Sequence, residues 1–218
     1  MMINLPLEMR FWLGALALLV AAAPAAALPS FSEVYYDAPG SDDGESFVEI
    51  VGIPGESLDG YRVEGVNGTN GAVGPTIVLS GSIGAGGLFL VADRRSDGSS
   101  SVAGADLLAN FDFQNGPDSI VLRLESVVVD ALGYGEFAPG EIFAGEGMPA
   151  PDAAPGTSLA RVFANVDTDD NAEDWMVLLA PTPGSAPFAA VPEPGPALLL
   201  GLGLGGLAAV RRSRSTMR

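Results

Sequence analysis

Three oxygen-bearing side chains, Asp167, Asp169 and Asn171, stand at alternate positions in the run Asp-Thr-Asp-Asp-Asn. In a tight loop, alternate side chains can converge on one hard cation, and calcium is the ion such oxygens suit. Asp170, Glu173 and Asp174 follow closely and add charge that would raise the affinity. A complete loop of that type carries a glycine at the sixth position and a glutamate at the twelfth, where this chain has Ala172 and Leu178. The competing reading is an acidic turn whose Asp side chains bond backbone N–H groups. A second group, Asp37, Asp42, Asp43 and Glu45, falls between two expected strands and reads as solvated loop charge. Asn67-Gly68-Thr69 matches a glycosylation acceptor, but Asn70-Gly71 beside it favours a turn.

Composition narrows the chemistry further. The chain of 218 residues has no His, no Cys and no Lys, with 27 Asp and Glu against 10 Arg. Without His or Cys there is no serine or cysteine triad, no zinc site of the usual kind and no disulfide. Without Lys there is no Schiff base and no phosphate-binding lysine. Carboxylate pairs remain, but glycoside hydrolysis needs two of them at a defined separation across a cleft, and the sequence singles out no pair. Residues 28–190 hold 25 of the acids and five of the arginines, a formal charge of −20. That field repels phosphate backbones and argues against nucleic-acid binding.

Both ends read as processing segments. Residues 1–27 carry one positive side chain, Arg10, then an apolar run and Ala25-Ala26-Ala27. This is the pattern of a secretory signal peptide cut after Ala27, with Ala25 and Ala27 as the small residues the peptidase reads. At the other end, Val191-Pro192-Glu193-Pro194 precedes an uncharged apolar run over 195–210 and the cluster Arg211, Arg212 and Arg214. As a helix the run would be about 24 Å long, slightly short of a hydrocarbon core of about 30 Å. The arginines would hold the C-terminus on the cytoplasmic side.

The order of those tail elements resembles the PEP-CTERM sorting signal, in which Pro-Glu-Pro is followed by a short span and an arginine cluster. The resemblance covers about the last 28 residues. It implies cleavage near 192–194 by an exosortase-type enzyme and transfer towards the outer surface, often beside extracellular polysaccharide. A plain single-span anchor is the alternative.

Between the ends, short β-rich runs alternate with Gly, Pro, Asn and Asp clusters. Strands are expected over 31–37, 47–52, 61–66, 76–79, 88–92, 119–124, 127–132, 158–163 and 175–179, a spacing that argues for an antiparallel sandwich or barrel. Alternation of Val48 and Ile50 with Glu49, and of Tyr61 and Val63 with Arg62 and Glu64, predicts strands buried on one face. The runs 77–79, 88–91 and 127–129 read as central strands. Trp175 and the tyrosines lie on β-type runs, where core packing is the default. The stretch 135–156, with four Pro and five Gly, is either a functional loop or poorly ordered.

Several of these segments together resemble the lamin-tail domain, a small immunoglobulin-like sandwich. They are Ser-Glu-Val-Tyr-Tyr-Asp at 32–37, Gly-Glu-Ser-Phe-Val-Glu-Ile at 44–50, Leu-Asp-Gly-Tyr at 58–61 and Leu-Phe-Leu-Val-Ala at 88–92. Then follow Gln-Asn-Gly-Pro-Asp-Ser-Ile-Val-Leu at 114–122, Ser-Leu-Ala-Arg at 158–161, Asp-Thr-Asp-Asp-Asn at 167–171 and Pro-Thr-Pro-Gly at 181–184. The family more often has Trp at the position of Phe47. The resemblance implies a binding or structural module without catalysis of its own.

The expectation is therefore an all-β, immunoglobulin-like antiparallel β-sandwich over 28–190, with a signal peptide at 1–27. A sorting signal at 191–218 includes one short transmembrane helix over 195–210. The chain reads as a non-catalytic exported protein, anchored first in the inner membrane and then sorted to the cell surface or extracellular matrix. Its expected partners are an exosortase-type processing enzyme and extracellular polysaccharide or surface proteins, with calcium the candidate cofactor. The alternative is a calcium-assisted hydrolase of extracellular polymers.

Overall fold

β-Branched and aromatic runs, punctuated by glycine and aspartate turns, form ten strands and one helical turn within residues 28–190, the part of the chain that this computed structural model describes. The signal and sorting readings, with Ala25, Ala27, Val191, Pro192, Glu193, Pro194, Arg211, Arg212 and Arg214, lie outside the described residues. No helix among the described residues is long and apolar enough to cross a membrane. The elements are β1 (Ser30–Tyr35), β2 (Phe47–Val51), β3 (Tyr61–Asn67), β4 (Val73–Val78), β5 (Leu88–Asp93), β6 (Leu107–Ala109), β7 (Asp118–Leu124), β8 (Val127–Tyr134), β9 (Ser158–Arg161), α1 (Asn171–Asp174) and β10 (Trp175–Leu178).

Two sheets face each other, one in the order β10-β9-β1-β2-β5-β6 and the other β4-β3-β7-β8. All pairings are antiparallel except β5 with β6. Phe31, Val34, Val48, Ile50, Phe89 and Leu159 from the first sheet share one core with Val63, Ile77, Ile120, Leu122 and Leu132 from the second. Each such side chain, fully buried, contributes about 1.5–3 kcal/mol. A bulge between Phe31 and Glu33 lets Phe31 and Val34 both enter the core although they stand three positions apart.

Three strand expectations need correction. The runs 77–79 and 127–129 are not central, because β4 and β8 are the outermost strands of the second sheet. Val78 is 71% exposed, Val127 64% and Val128 47%. Val127 and Val128 directly follow the tight turn between β7 and β8, where Glu125 takes a left-handed φ of 53°, so they project past the core. β6 was not expected: it is only three residues long.

The alternation in β2 also misleads, since all five of its residues are buried. Glu33 and Glu49 stand opposite each other on β1 and β2. Residues 181–184 cover them. Glu33 accepts from Ser158 Oγ (2.6 Å), Thr182 N (2.9 Å) and Thr182 Oγ1 (2.7 Å), and Glu49 accepts from Ser32 Oγ (2.7 Å) and Gly184 N (2.6 Å). Burial, and after it the nearby Glu33 charge, raises the Glu49 pKa despite these donors.

The stretch 135–156 is an ordered loop laid over β8 and α1. Gly135 N donates to Ala150 O (3.1 Å), Ala150 N to Gly133 O (2.8 Å) and Ile142 N to Gly68 O (2.6 Å). Its path needs glycine at 145, where a Cβ would stand 2.4 Å from Asn171 Oδ1 and 2.5 Å from Gly133 N. Gly145→Ala is therefore expected to cost about 2–3 kcal/mol, because the clash is with the backbone of β8 and a fixed amide. A thermal melt would register it as a drop of roughly 5–10 °C.

Candidate functional site

A cluster of charged residues meets at the end of β9. Arg161 is wholly buried, and each nitrogen of its guanidinium has a partner. Nη2 donates to Asp130 Oδ1 on β8 (2.8 Å), and Nη1 to Asp174 Oδ2 on α1 (2.8 Å) and Asp167 Oδ1 (3.2 Å). Nε donates to Phe31 O (2.8 Å), and the guanidinium carbon lies 5.1 Å from the Trp175 ring centroid. The neighbouring carboxylates outweigh burial and raise the already high Arg161 pKa. Asp130 is also wholly buried, and its Oδ2 accepts from Phe31 N (2.5 Å). Burial raises its pKa although Arg161 opposes the shift.

A fourth carboxylate approaches from the 135–156 loop. Glu146 brings an oxygen within 4.8 Å of carboxylate oxygens of Asp130 and Asp167. Its Oε2 is buried and has no hydrogen-bond partner among the described residues. Burial first, and then the Asp130 and Asp167 charges, push its pKa from the usual 4.5 up to about 8.

The three residues of the Asp-x-Asp-x-Asn pattern separate in space. Asp167 joins the Arg161 cluster, whereas Asp169 is exposed on a left-handed residue with φ of 57°. Asn171 turns inward and is wholly buried. Its Oδ1 accepts from Gly133 N (2.8 Å) and Glu146 N (2.9 Å), and its Nδ2 donates to Ala131 O (2.9 Å). Asp170 caps α1 by accepting from Ala172 N (3.0 Å), and also takes Met148 N (3.1 Å). The three oxygens that Asp130, Glu146 and Asp167 bring together are the hard donors a cation would meet in this structure.

No protein-family model, curated protein or solved structure matches the chain.

The second acidic group also divides. Glu45 Oε1 pairs with Arg95 Nη2 (2.6 Å), and Asp42 Oδ1 accepts from Ala38 N (2.6 Å). Asp42 and Asp43 line a cleft with Asp93, Phe111 and Asp112. Asp93 is fixed there by Gly44 N (2.6 Å) and Phe111 N (3.0 Å). Burial, then Asp42 and Asp93, raise the Asp112 pKa. Asn67, of the glycosylation-like pattern, shapes a turn: its carbonyl accepts from Gly71 N (2.7 Å) and its side chain from Thr69 N (2.9 Å).

The residues that spacing did not single out are Asp130, Glu146 and Arg161. Asp130 carries a signal of its own, a lone charge within Val-Val-Val-Asp-Ala-Leu, which in a half-buried strand demands a partner. Glu146 carries none, because its position depends on the path of an aperiodic loop.

The same loop also builds a shallow cleft of about 750 Å³ on its outer side. Phe137, Phe143, Met148, Pro149 and Pro151 give it an apolar floor, with Glu136 and Asp152 among its lining residues. Phe137 and Phe143 pack edge to face, ring centroids 5.2 Å apart.

Proposed function

We propose that this chain is a non-catalytic exported module of the immunoglobulin-like, lamin-tail type, with a structural or adhesive role at the cell surface or in the extracellular matrix. The cleft on the 135–156 loop is the observation that carries the binding part of this reading. Phe137, Phe143 and Met148 stand in it on a backbone tied to β8 and α1, so a ligand would meet a preformed surface. An apolar floor beside carboxylates suits a sugar polymer, whose rings offer apolar faces and whose hydroxyls donate to Glu136 and Asp152. The buried charged and polar groups support the non-catalytic part: Glu33, Glu49, Asp130, Asp174, Arg161 and Asn171 hold strands and loops together.

Export and sorting rest on the sequence of the two ends. The signal peptide would carry 28–190 out of the cytoplasm. The 195–210 span would hold the chain in the inner membrane until an exosortase-type enzyme cuts near Pro192-Glu193-Pro194.

Replacing Pro192, Glu193 and Pro194 by alanine in the producing cells tests this. The parent chain is expected at the surface or in the medium, with a mass ending near 191–194, and the variant in the inner membrane with its tail intact. Identical masses and fractions for the two chains would defeat the sorting reading. A parent 28–190 fragment that ignores the cells' extracellular polysaccharide would defeat the adhesive one.

A further inference from the structure

The cleft on the 135–156 loop is held in shape from below. The Phe143 ring rests against Gly133 of β8 and the Phe137 ring against Gly68, each filling space that a Cβ would need. Asp152, on the cleft wall, is fixed through the core. Its Oδ1 accepts from Tyr36 Oη (3.1 Å), the same hydroxyl oxygen accepts from Ala153 N (2.9 Å), and Tyr36 is wholly buried. The Tyr36 ring stacks on that of Tyr134, centroids 4.4 Å apart. Asp152 itself stays exposed, as does Glu136.

The charge of the cleft has one sign. Glu136 and Asp152 line it, and at Gly147 its rim backs onto Asp170, whose Cγ would lie 2.6 Å from a Cβ at that glycine. The chain has no Lys and no His, and no arginine lines the cleft among the described residues. Arg62 and Arg123 pair with Glu64, Arg95 pairs with Glu45, and Arg161 is buried among its own partners. Arg94 stands on the loop after β5.

Those facts sort the sugars that such a cleft could hold. A uronate, sulfate or phosphate group would find no cation there and would approach against the −20 charge of residues 28–190. A neutral ring would cover the apolar floor and offer only hydroxyls to the carboxylates. An ammonium group on the ring gives them a charge-assisted hydrogen bond, about twice as strong as a neutral one. The Phe137 and Phe143 rings attract the same cation.

We propose that the Phe137 and Phe143 cleft takes an amino-sugar polymer with free ammonium groups, the rings on the apolar floor and the ammonium against Glu136 and Asp152. This rests on the sugar-binding reading above and names the substrate class. A basic peptide would satisfy the carboxylates equally, but its flexible side chains would gain less from the fixed aromatic floor than a rigid ring does.

The test measures binding by calorimetry at pH 6, with the full chain in mild detergent. The probes are a β-linked glucosamine oligomer, its fully N-acetylated counterpart, a uronic-acid oligomer of the same length and a lysine oligomer of matching charge. The glucosamine oligomer is expected to bind about tenfold or more tighter than the acetylated one and the lysine oligomer, and the uronic-acid oligomer not to bind. Joint Glu136→Gln and Asp152→Asn should abolish the preference for the amine, since both side chains are exposed and the Asn oxygen can still accept from Tyr36. Joint Asp59→Asn and Glu125→Gln removes the same charge from turns outside the cleft and should leave the preference intact. Equal loss in the two double variants, or loss in neither, would mean diffuse attraction to an acidic chain and would overturn the site. Equal affinity for the amine and acetylated oligomers would overturn the ammonium assignment while the sugar reading stands. A lysine oligomer that binds as tightly as the glucosamine one would point to a basic protein instead and overturn the proposal. Failure of every sugar oligomer to bind would defeat the sugar reading itself, and the proposal with it.

Discussion

Arg161→Ala is expected to leave the chain largely unfolded at pH 7. The substitution strips a buried cation from Asp130 and Asp174, removes its contact with Asp167 and frees the Phe31 carbonyl. Breaking a buried pair by removing one partner costs about 3–5 kcal/mol, because the remaining charge keeps its desolvation penalty. Here one cation serves two buried carboxylates, so the upper end applies, against a total stability of about 5–15 kcal/mol for an ordinary domain. Arg161→Lys should recover little, since an ammonium cannot bond Asp130, Asp174 and Phe31 O in one fixed fork. Urea unfolding at pH 7 and pH 5 would check the cause. Asp130 already has a raised pKa through burial, and loss of Arg161 raises it further, so the alanine variant should be the more stable of its two states at pH 5. A variant with near-parental stability at pH 7 would mean that the cluster is wetter than its burial implies.

Asn171→Ala carries the second large effect, about 3–5 kcal/mol. Gly133 N and Glu146 N lose their acceptor, and Ala131 O loses a donor, the Gly133 and Ala131 groups being buried and Glu146 N partly so. Each buried group left unpaired costs about 1–3 kcal/mol. Asn171→Asp should be at least as harmful: the shape survives, but the carboxylate cannot donate to Ala131 O and adds charge beside Glu146. Circular dichroism melts of the two variants would rank them, and a melting temperature for Asn171→Asp above that of Asn171→Ala would contradict the charge argument.

Much of the sheet architecture was legible in the sequence because strand signals are local. Phe47, Val48 and Ile50, or Ile120 and Leu122, carry β-branched and aromatic character next to glycine and proline punctuation, and those runs became strands. What failed was the second face of each strand. Glu49 looked solvent-facing by alternation, yet it is buried under residues 181–184, more than 130 positions along the chain. Val127 and Val128 looked central by composition, yet they project from a hairpin at a sheet margin. Neither outcome is encoded within a window of a few residues.

The candidate site was legible only in part, for the same reason. The spacing of Asp167, Asp169 and Asn171 assumes a loop whose alternate side chains point one way. Here the chain turns at Asp169 and enters α1, which aims Asn171 at β8 and leaves Asp167 beside Arg161. The charges that gather there come from β8, β9, the segment before α1 and the 135–156 loop, and only the fold brings them together.

The two glutamates on β1 and β2 also determine how the molecule would bear tension. Chain beyond residue 184 leads towards the C-terminal end, and β10, the last strand before it, lies at the margin of its sheet. A pull from that end would peel β10 away one hydrogen bond at a time if nothing intervened. Thr182 and Gly184, gripped by Glu33 and Glu49, intercept the load and pass it to the interior strands β1 and β2. Under the proposed tethering by the tail, that grip would act as a strain relief, and Thr182→Ala should lower the rupture force before it changes anything about the shape.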